Sequence, residues 1–177
     1  ALDPSKGALA LGGCGLTELP RLLRTTLAMQ LGSLRSILLP GNKLRSLPPS
    51  TMRLMGVVTE LDLGRNRLRA LPDELGQLTR LTSLKLGHNH IETLPSAMCH
   101  IGMRLKRLHL ESNSLTRLPP TFGHLHRLQE LRLQQNQVTV LPGSFWHLNS
   151  LRHLDLSTNG LLTLALIPPL REHGPAV

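Results

Sequence analysis

The chain is 177 residues long, with 20 Lys and Arg against 11 Asp and Glu, a formal net charge of +9. Apolar residues make up 40%, but two Phe, one Trp and no Tyr supply little aromatic area, so the core is aliphatic. That length suits one domain, no apolar run approaches the ~20 residues that span a bilayer, and the basic balance keeps an acidic partner, nucleic acid included, in view.

Residues 1–8 read as a lead-in, with Asp3-Pro4 as a turn signal. No apolar stretch precedes a small-residue cleavage site, so a secretory signal is not expected, and one Lys with one Asp makes a poor transit peptide. Residues 9–20 (LALGGCGLTELP) then open a pattern that recurs in full at 34–48 (LRSILLPGNKLRSLP). It returns at 58–72 (VTELDLGRNRLRALP), 81–95 (LTSLKLGHNHIETLP), 105–119 (LKRLHLESNSLTRLP) and 128–142 (LQELRLQQNQVTVLP). Residues 151–164 (LRHLDLSTNGLLTL) repeat it without the proline.

The registering position falls at Cys14, Asn42, Asn66, Asn89, Asn113, Asn136 and Asn159, in steps of 23 or 24 residues after a first step of 28. Self-similarity at this period is the signature of a solenoid. The long first step holds residues 22–31 (LLRTTLAMQL), which lack Pro and Gly and predict an α-helix on the outer side.

Within each unit, paired apolar positions alternate at period two: Ile37 and Leu39, Leu61 and Leu63, Leu84 and Leu86. That predicts a parallel strand with these side chains turned inward. The asparagine ends the strand, where its amide can satisfy backbone groups of its own turn and of the adjacent repeat. Cys14 makes only weak hydrogen bonds, so the first rung is expected to sit loosely in its core slot.

Return segments start at Leu-Pro, where a missing N–H costs little. They carry Leu75 and Leu78, Met98 and Ile101, Phe122 and Leu125, and Phe145 and Leu148 at equivalent core offsets, with Trp146 half-buried beside them. The spans 47–58 and 94–105 are one residue longer than 71–81, 118–128 and 141–151, and are expected to bulge outward. Pro168 and Pro169 stop the pattern, leaving Leu166, Ile167 and Leu170 to cover the open end.

The frame LxxLxLxxNxLxxLP resembles the leucine-rich repeat family, in the intracellular class found in Ras suppressor protein, Scribble and Erbin. The resemblance covers nearly the whole chain. It implies an α/β leucine-rich repeat solenoid of about seven repeats, with a curved parallel sheet on the concave face and short helices and turns on the convex face. One domain then spans residues 1–177, with repeats over 9–164 and a C-terminal cap over 165–177. Secreted members usually close their ends with disulfide-rich caps. Cys14 and Cys99 lie far apart, so an intracellular setting is expected, cytoplasmic in the first place, with an organelle or the nucleus as alternatives.

What the resemblance implies for function is a scaffold or adaptor that binds another protein on the concave face, without chemistry of its own. The outward strand positions there include Asp62, Arg65, Lys85, His88 and Lys106, followed by Arg107, His109, Arg132, Arg152 and His153. Arg35, Ser36, Leu38, Ser83, Glu60, Glu111, Glu130 and Asp155 share that surface. Seven cations against five carboxylates leave this face only +2 of the total +9. A dedicated phosphate-binding concavity would be purer, so the mixed surface favours a protein or peptide ligand.

Two basic edges carry much of the remainder. Lys43, Arg45, Arg67 and Arg69 follow the asparagine at equivalent offsets, and Arg80, Arg104 and Arg127 each precede the first leucine of a repeat. Contact with phosphates or an acidic protein competes here with a plainer account, a solvated surface that keeps a leucine-rich solenoid soluble. The second functional reading is therefore a structural subunit of a ribonucleoprotein or cytoskeletal assembly docked through these edges. Stacking aromatics for single strands are scarce.

Nine histidines include the close pairs His88 with His90 and His124 with His126, but neither has the spacing of a metal site. No phosphate-binding loop, nucleophile elbow or paired zinc-binding histidine motif occurs. No metal, cofactor, small-molecule substrate or enzymatic activity is expected.

Overall fold

A computed structural model describes residues 2–3, 7–19 and 34–161. The strands are β1 (Leu2–Asp3), β2 (Ala8–Ala10), β3 (Ser36–Leu38), β4 (Glu60–Asp62), β5 (Ser83–Lys85), β6 (Arg107–His109), β7 (Glu130–Arg132) and β8 (His153–Asp155). They form one open, curved sheet in sequence order. β1 runs antiparallel to β2, so part of the expected lead-in is built into the sheet. All later neighbours are parallel.

The register links identical repeat positions. Leu9, Ile37, Leu61, Leu84, Leu108, Leu131 and Leu154 pair in one continuous row. The central members are fully buried, whereas Leu154, at the end of the row, is only partly covered. The helix expected at 22–31 and the cap expected at 165–177 lie outside the described residues.

The return segments are tight. One α-helix, α1 (Pro49–Leu54), is joined by 3-10 segments at Asp73–Gln77, Ser96–Met103, Phe122–His124 and Gly143–His147. The two longer spans hold α1 and the eight-residue 3-10 segment. In the second, the extra length pushes Met103 outward to 73% exposure. Glycines let neighbouring return segments touch: a Cβ on Gly76, Gly102 or Gly123 would collide with the carbonyl of Ala97, His124 or Ser144. The Phe122 and Phe145 rings stack with centroids 6.2 Å apart, and Trp146 is half-buried with its ring perpendicular to Phe145, centroids 5.4 Å apart.

The asparagines form the expected ladder. In each rung Nδ2 donates to a carbonyl of the preceding repeat and to the leucine three residues back, while Oδ1 accepts a backbone N–H from the preceding repeat. For Asn66 these are Leu39 O at 2.9 Å, Leu63 O at 2.9 Å and Leu44 N at 3.1 Å. Asn42, Asn89, Asn113, Asn136 and Asn159 repeat the arrangement. Cys14 departs from expectation. It is exposed rather than in a core slot, and its Sγ reaches only Gly12 O at 3.5 Å. A thiol lacks the amide's donor–acceptor pair, and no earlier parallel turn lies on its open side among the described residues.

The residue before each rung adopts a left-handed conformation: Gly13, Gly41, Arg65, His88, Ser112, Gln135 and Thr158, with φ between 52° and 71° across the left-handed residues of the chain. Glycine takes this conformation freely, whereas side-chain-bearing residues take it at a cost. Six asparagine rungs and close packing hold the five non-glycine turns in place.

Candidate functional site: the concave sheet

Two rows of outward side chains cover the concave face. Register aligns Ala8, Ser36, Glu60, Ser83, Arg107, Glu130 and His153 in the first row. It aligns Ala10, Leu38, Asp62, Lys85, His109, Arg132 and Asp155 in the second. The face therefore runs from small and apolar over β2 and β3 to charged over β4 to β8.

Much of that charge is satisfied internally. Lys85 Nζ lies 3.6 Å from Glu60 and 3.7 Å from Asp62. The other Asp62 oxygen, Oδ1, accepts the Gly64 N–H at 3.0 Å, closing the strand end. Glu130 Oε1 is a second hub, 3.1 Å from His109 Nε2 and accepting from Arg132 Nε at 2.8 Å. Burial pushes the Glu130 carboxyl upward, but the hydrogen bond from Arg132 and the charges of His109 and Arg132 outweigh it, so its pKa ends below the usual value. Asp155 is also held low, by hydrogen bonds from Ser157 and, more weakly, by the Arg132 charge.

The expected site residues thus divide. Asp62, Lys85, His109 and Arg132 are tied into these two groups. Arg65 and His88 sit on the left-handed turns at the rim and are exposed. Lys106, Arg107, Arg152 and His153 are exposed on the strand-start side, and their side chains bond no described residue. Ser83 was expected to face outward, yet it is fully buried and its hydroxyl has no partner. Its register neighbours are Glu60 and Arg107, whose long side chains overshadow a short one.

The edge cations Lys43, Arg45, Arg67, Arg69, Arg80, Arg104 and Arg127 are all exposed. Arg67 N bonds Leu44 O, which sets the first four side by side across two repeats as expected. His124 and His126 hold their rings 6.0 Å apart, and among the described residues no three His, Cys, Asp or Glu side chains converge on a metal-sized site. No described helix is long and apolar enough to cross a membrane.

A family model described as "Leucine rich repeat" matches residues 32–91 and 103–161. No curated protein sequence matches the chain. Among solved structures, a leucine-rich repeat protein of Leptospira interrogans superposes with TM-score 0.74 at 31% identity, over 85% of this chain and 43% of that one. YopM of Yersinia enterocolitica gives 0.69 at 29% identity, over 93% and 32%. TLR13, in its complex with ssRNA13, gives 0.69 at 32% identity, over 78% and 20%. The chain spans less than half the length of each.

Proposed function

We propose, on the premise that this chain belongs to the leucine-rich repeat family, that it is a non-enzymatic scaffold or adaptor binding a protein partner on its concave face. The fold commonly mediates protein–protein interaction. The observation that carries the reading is the contrast between paired and free charge on one rigid sheet. Lys85, His109 and Arg132 are held by carboxylates, while Lys106, Arg107, Arg152 and His153 project with unengaged side chains. Such groups lose little conformational entropy in the surrounding backbone on binding, because the ladder has already ordered it. Two free thiols, one of them exposed, suit a reducing intracellular setting.

Capture of a tagged chain from cells, with and without nuclease, tests this. Partners that survive nuclease and are lost with Arg107→Glu support it. Partners released by nuclease contradict it.

The second reading, a structural subunit of a larger ribonucleoprotein or cytoskeletal assembly, is favoured by one observation. Lys43, Arg45, Arg67 and Arg69 form an exposed group whose side chains no described residue engages. Charge reversal at Arg45, Arg67 and Arg69 would then abolish binding and flatten its salt dependence.

A further inference from the structure

Internal pairing separates the concave cations more sharply than their positions in the repeats do. Lys85, His109 and Arg132 have carboxylate partners. Lys106, Arg107 and Arg152 have none among the described residues. These three are neighbours: Gln129 N bonds Lys106 O, and Arg152 N bonds Gln129 O. Lys106, Gln129 and Arg152 therefore occupy consecutive rungs, and the outer two stand roughly 10 Å apart at the ~4.8 Å spacing of strands. Arg104 and Arg127 lie one residue before Leu105 and Leu128, on the strand-start side of the same repeats, and are also exposed and unengaged. The nearest hub carboxylate, Glu130, is occupied by Arg132 and His109.

We propose that Arg104, Lys106, Arg107, Arg127 and Arg152 form one continuous seam, joining an edge to the concave face, that binds an extended acidic segment of a partner protein. The proposal rests on the protein-binding reading above and adds the partner's chemistry and its line of approach. Two acids three residues apart on an extended chain in the polyproline II conformation share one face and lie about 9 Å apart, which matches the span from Lys106 to Arg152. Gln129 between them offers an amide to the intervening peptide backbone.

A nucleic acid fits this seam less well. Phe122 and Phe145 are buried and Trp146 packs perpendicular to Phe145 in a return segment, away from the sheet, so bases meet no aromatic platform here. Glu130, Glu111 and Asp155 on the same face repel a continuous phosphate backbone, whereas a peptide places its acids singly.

The test uses the full chain and three labelled probes followed by fluorescence anisotropy at low salt. They are a peptide with Glu at every third residue, the same peptide with Gln in place of Glu, and a single-stranded RNA of equal length. The Glu peptide is expected to bind and the Gln peptide to fail. Binding should weaken by more than roughly tenfold in Lys106→Glu/Arg107→Glu/Arg152→Glu, and measurably in the milder Lys106→Gln/Arg107→Gln/Arg152→Gln. The edge variant Arg45→Glu/Arg67→Glu/Arg69→Glu, with the same change in net charge, should retain it. Equal losses in the seam and edge variants, or tighter RNA binding that depends on the seam, would overturn the proposal. Failure of the Glu peptide alongside nuclease-resistant, Arg107-dependent capture would remove this inference and leave the protein-binding reading intact.

Discussion

Asn89 Oδ1 accepts the backbone N–H of Leu68, 21 residues earlier, at 3.0 Å. The same amide donates to Leu63 O and Leu86 O at 3.0 and 2.9 Å. One buried side chain thus completes the backbone hydrogen bonding of two repeats. Asn89→Ala leaves those groups buried without partners and should cost about 1–3 kcal/mol, read as a lower urea midpoint. Asn159, only partly buried at the end of the described ladder, should cost less when truncated.

The turn before each rung makes a second, purely backbone prediction. Gly41 has φ 68°, and a Cβ there would meet nothing closer than 3.7 Å. Gly41→Ala therefore tests conformation without steric overlap and should destabilise by about 1 kcal/mol. His88, with φ 57°, should behave oppositely. His88→Gly relieves the strain but gains unfolded-chain entropy, for a net stabilisation of up to about 1 kcal/mol. Thermal melts of both variants check the signs.

On the convex side the prediction is steric. Gly123 N–H donates to Ser144 Oγ at 3.2 Å, and a Cβ on Gly123 would overlap the Ser144 carbonyl. Gly123→Ala must push two return segments apart, at a cost of about 1–3 kcal/mol. Gly143→Ala, where a Cβ meets nothing within 4 Å, should be nearly neutral. Denaturant titration of the pair separates packing from a general effect of losing glycine.

The Glu130 hub predicts a pH dependence. Its pKa is lowered in the fold, so its contribution is present above the unfolded carboxylate range and is lost as pH falls through the folded value. Glu130→Gln should remove part of the loss of stability seen on acidification below about pH 4.5. It should also free Arg132 and His109. Denaturation midpoints of both proteins across that acid range make the comparison.

The fold was legible because each repeat spends its identities on backbone and core. Leu61 and Leu84 could only be an inward row once the asparagines were in register, and the paired strands follow that register residue by residue. The concave side chains were less legible. Periodicity places Lys85 and Arg107 on the same face, yet only side-chain geometry shows that Lys85 is bridged to Glu60 and Asp62 while Arg107 is free. The Glu130 hub was visible merely as one acid among five. Ser83 shows the same limit: alternation assigns it outward, and its taller neighbours bury it. Cys14 holds the asparagine slot in the first turn of the stack, but its thiol reaches only Gly12 O and makes no rung.

Site-specific photocrosslinking in cells tests partner binding on the concave sheet most directly, with benzoylphenylalanine at Gln129 on the concave face or at Gln77 on the convex return segment. Binding on the concave sheet predicts a protein adduct at position 129 that resists nuclease, disappears with Arg107→Glu/Arg152→Glu, and is absent from position 77. An adduct at position 77 with none at 129, or an adduct at 129 that nuclease removes, would contradict it.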